Sequence, residues 1–149
     1  MRDAGSDMGW QARSTLHRYC RAIDDHDIDA LRDVFSEDVV LIVGGDSTEG
    51  DGATQSFAGR ETVAQILASL FQERNWARHV VSNEQVEERG DGGVEVRSYF
   101  NYLLAKPDTR VLGVGDYKAI MRREGDRLRI AEFSASILDE VELPRGTTA

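Results

Sequence analysis

Removing a proton from carbon near neutral pH calls for a base that titrates in that range, and imidazole, with an unperturbed pKa of about 6.5, is the natural candidate. The chain contains three histidines, His17, His26 and His79. His17 and His26 fall where apolar residues recur at helical spacing and read as surface or helix-end residues. His79 falls in a strand-like run and shares its face with Val81 and Asn83. That mixed face suits either a core histidine bonded to backbone or a base bordering a pocket. Asp24 belongs to Asp24-Asp25-His26-Asp27, a helix-end cluster in which capping alone accounts for an aspartate. Tyr19 lies on an apolar helical stripe, where a phenol serves as core or as a donor to developing negative charge. Tyr117, Asn101, Trp76 and Phe57 are further candidates for lining a pocket. Cys20 is the only cysteine; it sits inside a helical pattern and reads as a buried, inert thiol. There is no Cys/His cluster at zinc spacing and no cofactor motif, so neither metal nor cofactor is expected.

The elements that carry these residues follow from periodicity. Residues 1–8 are polar and are expected to be disordered. From Trp10, through Leu16, Tyr19, Cys20 and Ile23, three- and four-residue steps predict a helix ending near Asp24-Asp25-His26. Asp27 is a good N-cap for a second helix over 28–35, with Ile28, Leu31, Val34 and Phe35 on one face. Residues 39–43 form a short β-branched run, a buried strand. Residues 44–56 are rich in Gly and Asp, which suits either surface decoration or a functional lid. Gly59-Arg60-Glu61 opens a third helix with the stripe Val63, Ile66, Leu67, Leu70 and Phe71. Strands over 77–88, 94–105, 110–123 and 128–138 follow, separated by turns at 90–93, 106–109 and 124–126. The chain is thus expected to be one α+β domain over 9–140, with a tail over 141–149.

Alternation along the strands predicts their faces. Val94, Val96, Ser98, Phe100, Tyr102 and Leu104 point one way; Glu95, Arg97, Tyr99, Asn101 and Leu103 point the other. The second set is not cleanly polar, which predicts a covered outer face and a homo-oligomer, dimer or trimer. In the next strand Val111, Gly113, Gly115, Tyr117, Ala119 and Met121 share a face. Its two glycines mark either a bend in the sheet or space for a ligand.

The charge balance narrows the partners. The 18 basic against 27 acidic residues give a net charge of −9, which argues against nucleic acid and against an anionic membrane surface. The longest apolar run is too short to span a bilayer, and the opening residues do not read as a signal peptide. A cytoplasmic protein with a small-molecule substrate is expected.

Several segments together resemble the SnoaL-like proteins of the nuclear-transport-factor-2-like superfamily. These are Leu16-His17-Arg18-Tyr19-Cys20-Arg21-Ala22-Ile23-Asp24, Asp27-Ile28-Asp29-Ala30-Leu31, Phe57-Ala58-Gly59-Arg60-Glu61 and Ala77-Arg78-His79-Val80-Val81-Ser82-Asn83. Gly115-Asp116-Tyr117, Met121-Arg122-Arg123 and Arg129-Ile130-Ala131-Glu132 extend the likeness over residues 12–138. The resemblance implies a cone-like curved antiparallel sheet wrapped around N-terminal helices and enclosing a pocket. The family includes scytalone dehydratase, hexachlorocyclohexane dehydrochlorinase and polyketide cyclases. In the dehydratase and the dehydrochlorinase a helix Asp orients a strand His that removes a proton from carbon. Asp24 and His79 occupy the matching places, and Tyr19 matches a tyrosine used by some members. The later strands lack the second histidine of the scytalone dehydratase pattern. Val96-Arg97-Ser98-Tyr99-Phe100 also resembles the β subunit of ring-hydroxylating dioxygenases. Two readings follow: a cofactor-independent lyase, isomerase or polyketide-type cyclase using His79, Asp24 and Tyr19, or a non-catalytic ligand-binding or assembly subunit.

Overall fold

The computed structural model describes residues 4–45 and 54–145. Helix α1 (Ala4–Asp24) buries Ala12, Leu16, Tyr19, Cys20 and Ile23 along one stripe. It begins inside the segment expected to be disordered, where Gln11 donates to Asp7 one turn earlier and Met8 packs on the core. Trp10, expected to open the apolar stripe, is 68% exposed. It stands six residues before Leu16, about 120° round a 3.6-residue helix from it and off the buried stripe.

Asp27 caps α2 (Ile28–Val34), its Oδ1 accepting the Ala30 N–H at 3.0 Å. Phe35 leaves the helix and starts β1 (Phe35–Gly45), longer than the expected strand. The expected loop over 44–56 contains the end of β1 and, from Gln55, the beginning of β2 (Gln55–Ala58), which pairs antiparallel with β1. Residues 46–53 of that loop, where a lid or decoration was expected, lie outside the described residues. Gly59, at φ 96°, takes a left-handed turn that favours glycine and leads into α3 (Arg60–Ser69). The stripe continues through Leu70 and Phe71, but as a single 3₁₀ turn over Leu70–Glu73.

Strands β3 (Trp76–Glu88), β4 (Val94–Ala105), β5 (Thr109–Glu124) and β6 (Arg127–Pro144) form an antiparallel meander. The six-stranded order is β2-β1-β6-β5-β4-β3, and only the β1–β6 pair is parallel. The last strand runs past the expected boundary at residue 140, because its end pairs with the start of β5, Pro144 opposite Thr109. The helices cover one face of this curved mixed sheet, an α+β arrangement whose inner face holds the core.

The two glycines of β5 have a specific cause. A Cβ on Gly113 would collide with the Tyr102 ring, and one on Gly115 with the Phe100 ring and the Ser136 carbonyl. The side-chain room they free is taken by protein aromatic rings, and the ladder also slips register between Val114 and Gly115. Phe100 in turn stacks on Tyr117 with centroids 3.8 Å apart. On the outer face Val80, Tyr99, Leu112 and Val114 are exposed.

Candidate active site

Asp24 is the last residue of α1, where the partial negative charge of the helix end opposes a carboxylate. Two N–H groups of one β3 residue offset this. Asp24 Oδ2 accepts the His79 backbone N–H at 2.9 Å, and Oδ1 lies 2.6 Å from His79 Nδ1. The side chains are only 8% and 10% exposed. Capping therefore does not explain Asp24: Asp27 caps, and Asp24 holds a histidine 55 residues downstream. A carboxylate only accepts, so the shared proton sits on Nδ1; in the neutral imidazole that places the lone pair on Nε2. Nε2 has no hydrogen-bond partner among the described residues.

His79 borders a cavity of about 180 Å³ between the helices and the inner sheet face. Three phenols line it, Tyr19, Tyr102 and Tyr117, with Ile23, Leu41 and Leu67 among the aliphatic walls. Burial pushes the Tyr19 and Tyr117 hydroxyls far above their ordinary pKa of 10.0, so both remain protonated donors. Tyr102 is raised too, first by burial and then by the hydrogen bond it donates to Glu140. Its ring lies 5.8 Å from the His79 ring, following from the register that puts His79 opposite Tyr102. Arg74, just after the 3₁₀ turn, also reaches the lining. Cys20 is buried near Asp24, and burial pushes its thiol up to about 12, which fits an inert role.

The structure brings His79, Tyr19 and Tyr117 to this cavity, with Asp24 bonded to His79 but not itself in the lining, and leaves the other expected residues outside it. Asn101 lies on the outer face, because alternation turns Phe100 and Tyr102 inward. Trp76 is 39% exposed at the start of β3, with the Arg110 guanidinium 5.9 Å from its ring; its neighbour Ala77 points inward instead. Phe57 packs against the core from β2, opposite Leu41, and is not part of the lining. Tyr102, Arg74 and Glu140 were not singled out by sequence. Tyr102 stood on the face read as core. Arg74 follows an irregular turn with no periodic signal. Glu140 lies beyond the expected end of the last strand.

Other hollows differ in character. One of about 410 Å³ is lined by both Asp24 and His79, together with His17, Arg21 and Arg78. Another of about 530 Å³, among Gln85, Arg97, Asp116 and Lys118, does not include His79. Among the described residues no three His, Cys, Asp or Glu side chains gather to hold a metal ion. No helix among them is long and apolar enough to cross a membrane.

A family profile described as a SnoaL-like domain matches residues 10–134. No curated protein matches the chain in sequence. Among solved structures, a candidate scytalone dehydratase from Novosphingobium aromaticivorans superposes with a TM-score of 0.81 at 13% identity, covering 100% of this chain and 95% of its own. A candidate aromatic ring hydroxylase from the same organism gives 0.76 at 21% identity, with 93% and 94% covered. A hexachlorocyclohexane dehydrochlorinase of type 2 gives 0.71 at 15% identity, with 93% and 88% covered. At these identities the likeness is one of fold, that of the nuclear-transport-factor-2-like cone.

Proposed function

The chain belongs to the SnoaL-like domain family, and from that premise we propose that it is a cofactor-independent lyase or isomerase acting on a small, largely apolar oxygenated molecule. The observation that carries this reading is the buried Asp24–His79 pair, whose histidine borders a cavity and has Nδ1 held by the carboxylate and Nε2 without a protein partner among the described residues. His79 Nε2 takes a proton from a carbon next to a carbonyl or leaving group, and the electron pair moves onto oxygen or expels the leaving group. Asp24 keeps the ring in register and stabilises the imidazolium that forms. Tyr19, kept protonated by burial, donates to the negative charge that builds on oxygen. In an elimination the proton passes from imidazolium to solvent; in an isomerisation it returns to another carbon. Dehydratase and dehydrochlorinase neighbours on the same fold support this chemical class.

The test isolates proton abstraction from any complete reaction. Exchange of the methyl hydrogens of acetophenone in D₂O, followed by proton NMR, is expected to be accelerated by the protein. His79→Ala should remove about 100-fold of that acceleration, the lower range for general-base catalysis. A wild-type rate equal to buffer, or a His79→Ala rate equal to wild type, overturns the role.

The apolar outer face of Val80, Tyr99, Leu112 and Val114 supports assembly as a homo-oligomer. Light scattering after gel filtration should give a dimer or trimer mass; a monomer at micromolar concentration contradicts it. If exchange is absent but assembly persists, the non-catalytic reading takes precedence.

A further inference from the structure

Arg74 differs from the other partly buried arginines. Arg32, Arg127 and Arg129 pair with carboxylates. Arg60 donates to the Phe35 carbonyl, and Arg110 to the carbonyls of Lys106 and Thr109. Arg74 is comparably buried, yet among the described residues its side chain has no hydrogen bond and no carboxylate within 4.0 Å. It lines the same cavity as His79 and the three phenols. The one carboxylate of that lining, Glu140, is engaged by the Tyr102 hydroxyl instead. Removal from water without a carboxylate in contact destabilises Arg74's charged form, and burial is the leading influence lowering its pKa.

The backbone that presents Arg74 is held at both sides. Its N–H bonds to the Phe71 carbonyl at 3.3 Å, and the next residue's N–H bonds to the Ala105 carbonyl at 2.7 Å. The guanidinium therefore springs from a fixed junction between the 3₁₀ turn and β3. A fork of N–H donors on such a base matches the geometry of a carboxylate. The walls around it are aromatic and aliphatic, and a void of about 150 Å³ admits a molecule the size of benzene. A cavity of about 180 Å³ thus has room for one ring or a short chain bearing an anionic group.

We propose that Arg74 is the specificity-determining residue of this cavity, selecting a small apolar molecule that carries a carboxylate. The carboxylate anchors on Arg74, the apolar body lies against Tyr19, Tyr102 and Tyr117, and His79 meets the carbon skeleton. The overall charge of −9 repels small anions, so binding depends on this local cation. The inference rests on the proposed function in taking this cavity as the substrate site, but it does not require the proton-transfer step.

Benzoate and its neutral analogue benzyl alcohol serve as probes, titrated into the full chain and followed by amide NMR shifts. Wild type is expected to bind benzoate more tightly than benzyl alcohol. Arg74→Gln should weaken benzoate about tenfold or more while changing benzyl alcohol less than about twofold. Arg74→Lys, which keeps the charge and loses the fork, should recover part of the loss. The titrations read binding alone, so a protein that binds benzoate through Arg74 but shows no proton exchange leaves this result intact. The proposal is overturned if wild type does not bind benzoate or does not prefer it. It is also overturned if Arg74→Gln binds benzoate normally or loses both probes equally. Should Arg74→Gln not fold, Arg74→Lys decides: a benzoate preference no weaker than wild type overturns the fork geometry.

Discussion

Helix α1 and strand β3 meet in two histidine–carboxylate pairs with opposite polarity. At one, His17 of the helix lies 2.5 Å from Glu84 of the strand. At the other, Asp24 of the helix lies 2.6 Å from His79 of the strand. By distance alone they are equivalent. They differ in burial: the His17 and Glu84 side chains are 56% and 17% exposed, whereas Asp24 and His79 are 8% and 10% exposed. Asp24 is also anchored by a backbone N–H, and its histidine borders an apolar cavity with protonated phenols. A pair with an exposed member is weakened by water and salt; a buried, doubly anchored pair keeps its geometry and its field. Contact makes an ion pair, while burial, a second anchor and an adjoining void make a site.

The contrast sets the ranking of expected effects. The largest is kinetic: His79→Ala should lower carbon-acid exchange by about 100-fold, while His17→Ala leaves it within about twofold. Equal losses at both positions would erase the distinction. The next concerns stability. Asp24→Ala strands a buried imidazole and should cost about 3 kcal/mol in urea denaturation, whereas Glu84→Ala should cost under about 1 kcal/mol. Gly113→Ala sharpens the cavity side of the comparison by displacing the Tyr102 ring that stands opposite His79. It should cost about 1–3 kcal/mol by overpacking, and thermal unfolding checks this. The smallest effect belongs to a surface pair used as reference, Arg32 and Glu61. Hydrogen bonds from Arg32 hold the Glu61 carboxyl down at about 2, against an ordinary 4.5. Its contribution is present above pH 4.5 and is lost as pH falls toward 2, so the stability difference between wild type and Glu61→Gln should shrink over that window.

Much of the fold was legible because burial is periodic. Val94 through Leu104 alternate as expected, and Asp27 caps the second helix, since both signals depend on neighbours in sequence. Strand β2 escaped because four mostly exposed residues carry no apolar pattern, only pairing with β1. In the site, Asp24 and His79 were reached through family resemblance; their spacing of 55 residues carries no local signal. Asn101 suits a pocket by residue type, but strand phase turns it outward. Arg74 and Glu140 became visible only once an irregular turn and the far end of β6 were brought to the same cavity.

The central claim is that Asp24 fixes the His79 tautomer and leaves Nε2 available to a guest. Nitrogen-15 NMR of the ring, assigned with His79→Gln and recorded with and without acetophenone, tests this directly. The account predicts a proton on Nδ1, a proton-free Nε2, and a guest-induced shift confined to Nε2. A proton on Nε2, or a ring unmoved by a guest that binds, contradicts it.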